Sequence, residues 1–144
     1  EESLINVGSS LHIGARGPTN DGSVFNHTQE VGYGLITGSE LFKTGLNNTA
    51  KRVVETLKGR PVYLCFDMDF FDPSCAPGVC TPTWGGATSR EGLEFLQNLA
   101  GLKLVGADIN TVSPPHDISG MTAFLAATVG LEILTLFCHS KNLI

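Results

Sequence analysis

Tyr63-Leu64-Cys65-Phe66-Asp67-Met68-Asp69-Phe70-Phe71-Asp72-Pro73 carries an apolar run abruptly into three carboxylates and a proline. Residues i and i+2 of an extended strand point to the same face, so the spacing predicts Asp67 and Asp69 side by side. Adjacent carboxylates repel each other, and desolvation at the end of a buried strand disfavours their charge further. A hard divalent cation resolves the conflict, because it accepts several carboxylate oxygens and one aspartate can bridge two ions. The competing reading is that both aspartates cap a following turn whose backbone Pro73 fixes.

Upstream, Thr49 to Lys58 carries Val53, Val54 and Leu57 at helical spacing before Gly59, so a helix leads into a strand over Pro61 to Phe66. That strand is nearly continuous in apolar residues, which predicts cover on both faces within a parallel sheet. Further back, Leu11 to Ala15 reads as a short strand stopped by Gly17 and Pro18. Thr19 to Glu30 lacks apolar periodicity and reads as a loop, Gly32 to Ile36 as a short strand, and Ser39-Glu40 as the cap of a short helix.

Downstream, Ser74 to Gly86 is rich in proline and glycine, a rigid irregular loop at a strand's carboxyl end, where open α/β sheets build their sites. Thr88 or Ser89 caps a helix with Leu93, Phe95, Leu96 and Leu99 on its apolar side. Leu102 to Ile109 is a second apolar strand, again ending in polar residues, Asn110 to Asp117. Met121 to Cys138 is a long apolar segment that contains Gly130, Glu132 and several threonines, and is expected to be a buried helix rather than a membrane span. The alternation of strand and helix predicts a parallel α/β sandwich.

The length of 144 residues suits one domain, and 42% hydrophobic with 16% charged residues argues against disorder. Nine Lys+Arg against fourteen Asp+Glu give a net charge of −5 with no basic cluster, which argues against nucleic acid as a partner. Cys65, Cys75, Cys80 and Cys138 show no CxxC spacing, consistent with a reducing, cytoplasmic compartment. The beginning, Glu1-Glu2-Ser3, has neither an initiating methionine nor the features of a signal peptide, as expected for a chain that begins mid-protein.

Phe66-Asp67-Met68-Asp69-Phe70-Phe71-Asp72-Pro73, followed by Ala76-Pro77-Gly78, Thr81-Pro82 and Gly85-Gly86, resembles the ureohydrolases, the family of arginase, agmatinase and guanidinobutyrase. The resemblance runs from about Gly14-Ala15-Arg16 through the helix after Gly120, and Asp108 to Asp117 looks most like the agmatinase branch. It implies a three-layer α/β/α sandwich with a mainly parallel sheet, two divalent metal ions (manganese, or nickel in some relatives), and hydrolysis of a guanidino carbon with release of urea. Asp67 would bridge the ions, Asp69 would chelate one, and Asp72 would brace the loop. Water acidified by two divalent ions can attack a guanidinium carbon, so no side-chain nucleophile is required. A homo-oligomer, trimeric or hexameric, is also implied.

Two departures from the family pattern shape the expectation. The family's other metal ligands lie in upstream Gly-Gly-Asp-His and Asp-Ala-His-x-Asp motifs, which this sequence lacks, so the chain is read as a C-terminal portion that is inactive alone. The family's guanidinium-pairing glutamate is replaced by Thr111, and a tyrosine common in relatives by His116; both are candidate substrate contacts. A hydroxyl offers one weaker bond where a carboxylate makes bidentate contacts, so a small or unusual guanidine compound, such as free guanidine, or a less basic amidino compound, is the expected substrate. Asp117 is a candidate compensating carboxylate. A formimino-compound hydrolase and a non-catalytic subunit are the alternatives.

Overall fold

The computed structural model describes residues 4–19 and 21–143, which fall into two units, residues 1–44 and 45–144. In the first, β1 (Leu11–Ala15) pairs in parallel with β2 (Gly34–Thr37), with His12 opposite Leu35 and Ile13 opposite Ile36. The crossover between them contains α1 (Val24–Val31), where a loop was expected. None of its residues is buried, so it has no apolar stripe to announce it. Its entry is local chemistry: the Asp21 carboxylate accepts from the Ser23 N–H and hydroxyl, and Gly32, at φ 89°, ends the helix. The short helix α2 (Gly38–Thr44) follows β2 directly.

The second unit begins with α3 (Leu46–Leu57), which buries Leu46, Thr49, Ala50, Val53 and Leu57 along one stripe. It leads into β3 (Pro61–Asp67), which pairs in parallel with β4 (Lys103–Asn110). Leu64 lies opposite Ala107, Phe66 opposite Ile109, and Asp67 opposite Asn110. Between them α4 (Ser89–Gln97) starts at a reciprocal cap: the Thr88 hydroxyl accepts from the Glu91 N–H while the Glu91 carboxylate accepts from the Thr88 N–H. A side chain at Gly92 would overlap the ring of Phe71, so α4 comes close only because that position is bare. Phe66, Phe70 and Phe71 stack with centroids 5.7–6.0 Å apart, and Phe70 reaches Phe95 of α4 at 5.7 Å. These rings form the core directly beneath the aspartate loop.

Two expectations about cover are corrected. On β3 only one face is packed: Phe66 is buried, while Tyr63, Cys65 and Asp67 on the alternate face are exposed. On α5 (Met121–Ser140), the buried residues Thr122, Val129, Ile133 and Leu136 form one stripe, and Phe124, Leu131 and Leu134 on another side stand open, Phe124 at 76%. Although long and apolar enough to cross a membrane by length and composition, α5 packs on β4 and α4, and Gln97 donates to its Glu132. An apolar cleft of about 620 Å³ runs between β4 and the open side of α5, lined by residues including Ile109, Leu131, Leu134 and Phe137. A helix apolar all round is built to be covered all round. Among the described residues of the second unit it has neighbours on part of its circumference.

Candidate functional site

The polar groups of the second unit gather at the carboxyl ends of β3 and β4, where parallel strands deliver their loops to one side. Asp67 is the last residue of β3, and Asp69 lies in the 3-10 turn Met68–Phe70 that follows, with the fully buried Met68 anchoring the turn between them. The pair is therefore placed by a turn, not by the strand alternation that the spacing suggested. Asp67 makes no side-chain capping bond to that turn, which removes the capping reading for it.

The Asp69 carboxylate Oδ2 accepts from the Thr81 hydroxyl at 2.7 Å, and the Asp69 N–H donates to Thr111 Oγ1 at 3.2 Å. Thr111 in turn donates its own proton to the Asn110 carbonyl at 2.7 Å. Its carbonyl accepts from the Cys80 N–H at 2.9 Å, next to Thr81. Asp69, Thr81, Cys80 and Thr111 thus close a ring that joins the loop after β3, the proline-rich loop and the end of β4. Thr111 sits at φ 68°, a left-handed conformation. A non-glycine residue held there costs about 1–3 kcal/mol, and such strain gathers at functional sites.

Asp72 braces the loop, as expected. It accepts from the N–H groups of Ser74 (3.0 Å), Gly85 (2.9 Å) and Gly86 (3.2 Å). Hydrogen bonding from the Ser74 side chain, then its N–H and those of the two glycines, holds the Asp72 carboxyl at about 2. The loop is tied further to β4 and α5: the Ser113 N–H donates to the Gly78 carbonyl at 2.7 Å, and the Gly78 N–H to the buried Thr122 hydroxyl at 2.8 Å. A Cβ at Gly78 would fall 2.5 Å from Asp117 Cβ, so only glycine allows this approach.

Asp117, the candidate compensating carboxylate, is engaged at a helix start. Its oxygens accept from the N–H groups of Ile118, Thr122 and Ala123 at 2.9–3.0 Å, closing the start of α5. Desolvation works to raise its carboxyl, but the hydrogen bonds led by Thr122 and Ala123 outweigh it and hold the group low.

His116 lies exposed in the turn Pro114–His116, its Nδ1 2.8 Å from Ser113 Oγ. It lines a cleft of about 360 Å³ with Pro77, Val79, Cys80, Pro82 and Ser113. Thr111 is bonded to the same stretch of loop through Cys80. Of the remaining histidines, His12 lies in β1, and His27 and His139 are exposed. Phe70 and Phe71 belong to the core, and Trp84 is 76% exposed.

Sequence reasoning missed a polar row on the open face of the sheet. Interaction with Asp108 raises the Tyr63 phenol above its ordinary range; Asn110 donates to Asp108 and, at 3.3 Å, to Cys65 Sγ. Asp108 interrupting an otherwise apolar strand was the available signal. Burial first, then the charges of Asp108 and Asp67, push the Cys65 thiol up, which disfavours a thiolate there. Thr81 belongs to the Thr81-Pro82 motif, and nothing in the sequence announced its bond to Asp69.

Two carboxylates suit a hard divalent ion. Among the described residues no three of His, Cys, Asp and Glu gather to hold one.

The Arginase family model matches residues 1–135 of this chain. The agmatinase of Neisseria meningitidis serogroup C is 36% identical over 142 residues, 99% of this chain and 44% of that protein. The structure of proclavaminate amidino hydrolase from Streptomyces clavuligerus superposes with a TM-score of 0.82 at 36% identity, covering 90% of this chain and 42% of the other. Formimidoylglutamase from Bacillus subtilis superposes with a TM-score of 0.81 at 27% identity, over 90% and 41% of the two chains. The α/β sandwich expected from the sequence is thus the fold of its structural neighbours, and the chain spans less than half the length of the relatives it matches.

Proposed function

This chain belongs to the arginase family, and from that premise we propose that it is the C-terminal portion of a hydrolase that cleaves a guanidino carbon-nitrogen bond and releases urea. The observation that carries the reading is the ring at the strand ends, which holds Asp69 by both backbone and carboxylate beside Asp67. Asp67 and Asp69 would hold part of a pair of divalent ions, manganese or nickel, with the remaining ligands supplied from outside these 144 residues. When bound, such ions supply Lewis acidity and lower the pKa of water.

This chain's own residues account for binding and order. Thr111 Oγ1 has one proton, given to Asn110, and two lone pairs, one taken by the Asp69 N–H. The hydroxyl is therefore locked as an acceptor with one lone pair for a substrate N–H, suiting a guanidinium, which only donates. His116 and Ser113 supply the polar side chains of a cleft otherwise walled by Pro77, Val79, Cys80 and Pro82, the stretch of loop to which Thr111 is bonded. A cleft of that size and an acceptor without charge favour a small guanidine compound over an extended one.

The experiment is urea release by this chain joined to its native upstream portion, with manganese or nickel, over free guanidine, agmatine, 4-guanidinobutyrate and arginine. Urea from one of them, abolished by Asp67→Asn with the fold retained, supports the reading. Full activity in Asp67→Asn removes it. The likeness to formimidoylglutamase supports a second reading, hydrolysis of a formimino compound, whose product is formamide rather than urea. Neither product from any substrate, with metal bound, would leave a non-catalytic subunit.

A further inference from the structure

We infer that Thr111 is a positioning residue for Asp69, beyond any contact it makes with substrate; the inference rests on the reading of Asp69 as a metal ligand. Three observations converge on it. The Thr111 hydroxyl takes the Asp69 N–H at 3.2 Å, fixing the backbone from which the carboxylate projects. The Thr111 carbonyl takes the Cys80 N–H at 2.9 Å, fixing the strand of loop whose next residue, Thr81, grips Asp69 Oδ2 at 2.7 Å. Its backbone is held at φ 68°, where a β-branched residue is disfavoured, so another residue would serve better unless the hydroxyl is needed in that place. Both handles on Asp69 thus pass through a single residue 42 positions away in sequence. Residues that orient metal ligands in this way typically contribute ten- to a hundredfold to metal affinity.

The test uses the full-length protein, stripped of metal and titrated with manganese in the absence of substrate, so that a role confined to substrate binding leaves the readout unmoved. Thr111→Val keeps shape and branching but loses the hydroxyl, and is expected to weaken manganese binding by about ten- to a hundredfold. Thr111→Ser, which retains the oxygen, is expected to restore it. Thr111→Gly releases the left-handed backbone without supplying a hydroxyl; it should melt no lower than the parent without metal, yet bind manganese as weakly as the valine variant. Unchanged manganese affinity in Thr111→Val and Thr111→Gly overturns the inference. Asp69→Asn separates the two claims: if it binds manganese as the parent does, the metal-ligand reading of Asp69 fails, and with it the premise.

Discussion

The two faces of the β3–β4 pair are built from alternate residues of the same two strands, yet they have opposite chemistry. On one face Phe66 meets the rings of Phe70 and Phe71, which lead to Phe95 of α4, and Ile109 lies against Gly130 of α5. On the other, Tyr63, Cys65 and Asp67 look outward beside Asp108 and Asn110, joined by hydrogen bonds. The first face supplies burial, which drives folding. The second leads directly to Asp67 and supplies polar groups at the site. The contrast teaches that the helices of the second unit stabilise its sheet from one side and leave the polar row of the other face uncovered by them.

Breaking the covered face should have the largest effect. Phe66→Ala removes a buried ring from the aromatic cluster and is expected to cost about 3–5 kcal/mol of stability in denaturant unfolding of the full-length protein. At the end of the open face, Asp67→Asn should separate function from stability. The melting point should hold within a few degrees while urea release falls on the order of a hundredfold or more, since even residues that only orient a ligand carry that much.

Asp72 tests the loop that both faces support. Its folded carboxyl lies at about 2, below the ordinary 3.8, so the folded state binds fewer protons in that interval. The stabilisation is complete above about pH 4 and is lost as pH falls through about 2. Asp72→Asn should flatten the acid dependence of stability across that window, read by circular dichroism. The smallest effect belongs to Tyr63→Phe, which removes the phenol's interaction with Asp108 from a side chain 62% exposed. A loss under about 1 kcal/mol is expected, and a larger one would show that the open face contributes to the fold.

Much of this architecture was legible in the residues. The continuous apolar runs before Asp67 and Asn110 marked both strands, and Thr88 with Glu91 marked the start of α4. Asp67 and Asp69 stood out because two carboxylates at a strand end need a reason. Less legible was whatever depended on long-range approach. Nothing near Asp117 in sequence announced that the N–H groups of Ile118 and, in α5, of Thr122 and Ala123 would claim it, and nothing near Thr111 announced Asp69. The exposed helix α1 carried no periodicity to read. The failed expectations of burial, on β3 and α5, share one cause: an apolar pattern records what an element needs covered, not whether the cover lies within the same 144 residues.

That last point has a consequence for the life of the polypeptide in a cell. Phe124, Leu131 and Leu134 make α5 apolar on the side away from its buried stripe, beside the cleft against β4, while a net charge of −5 provides modest mutual repulsion. Exposed contiguous apolar surface of this kind promotes aggregation. Released alone from the ribosome, this chain would be a client for holdase chaperones and quality-control proteases, and its lifetime would depend on how quickly that helix found its remaining neighbours.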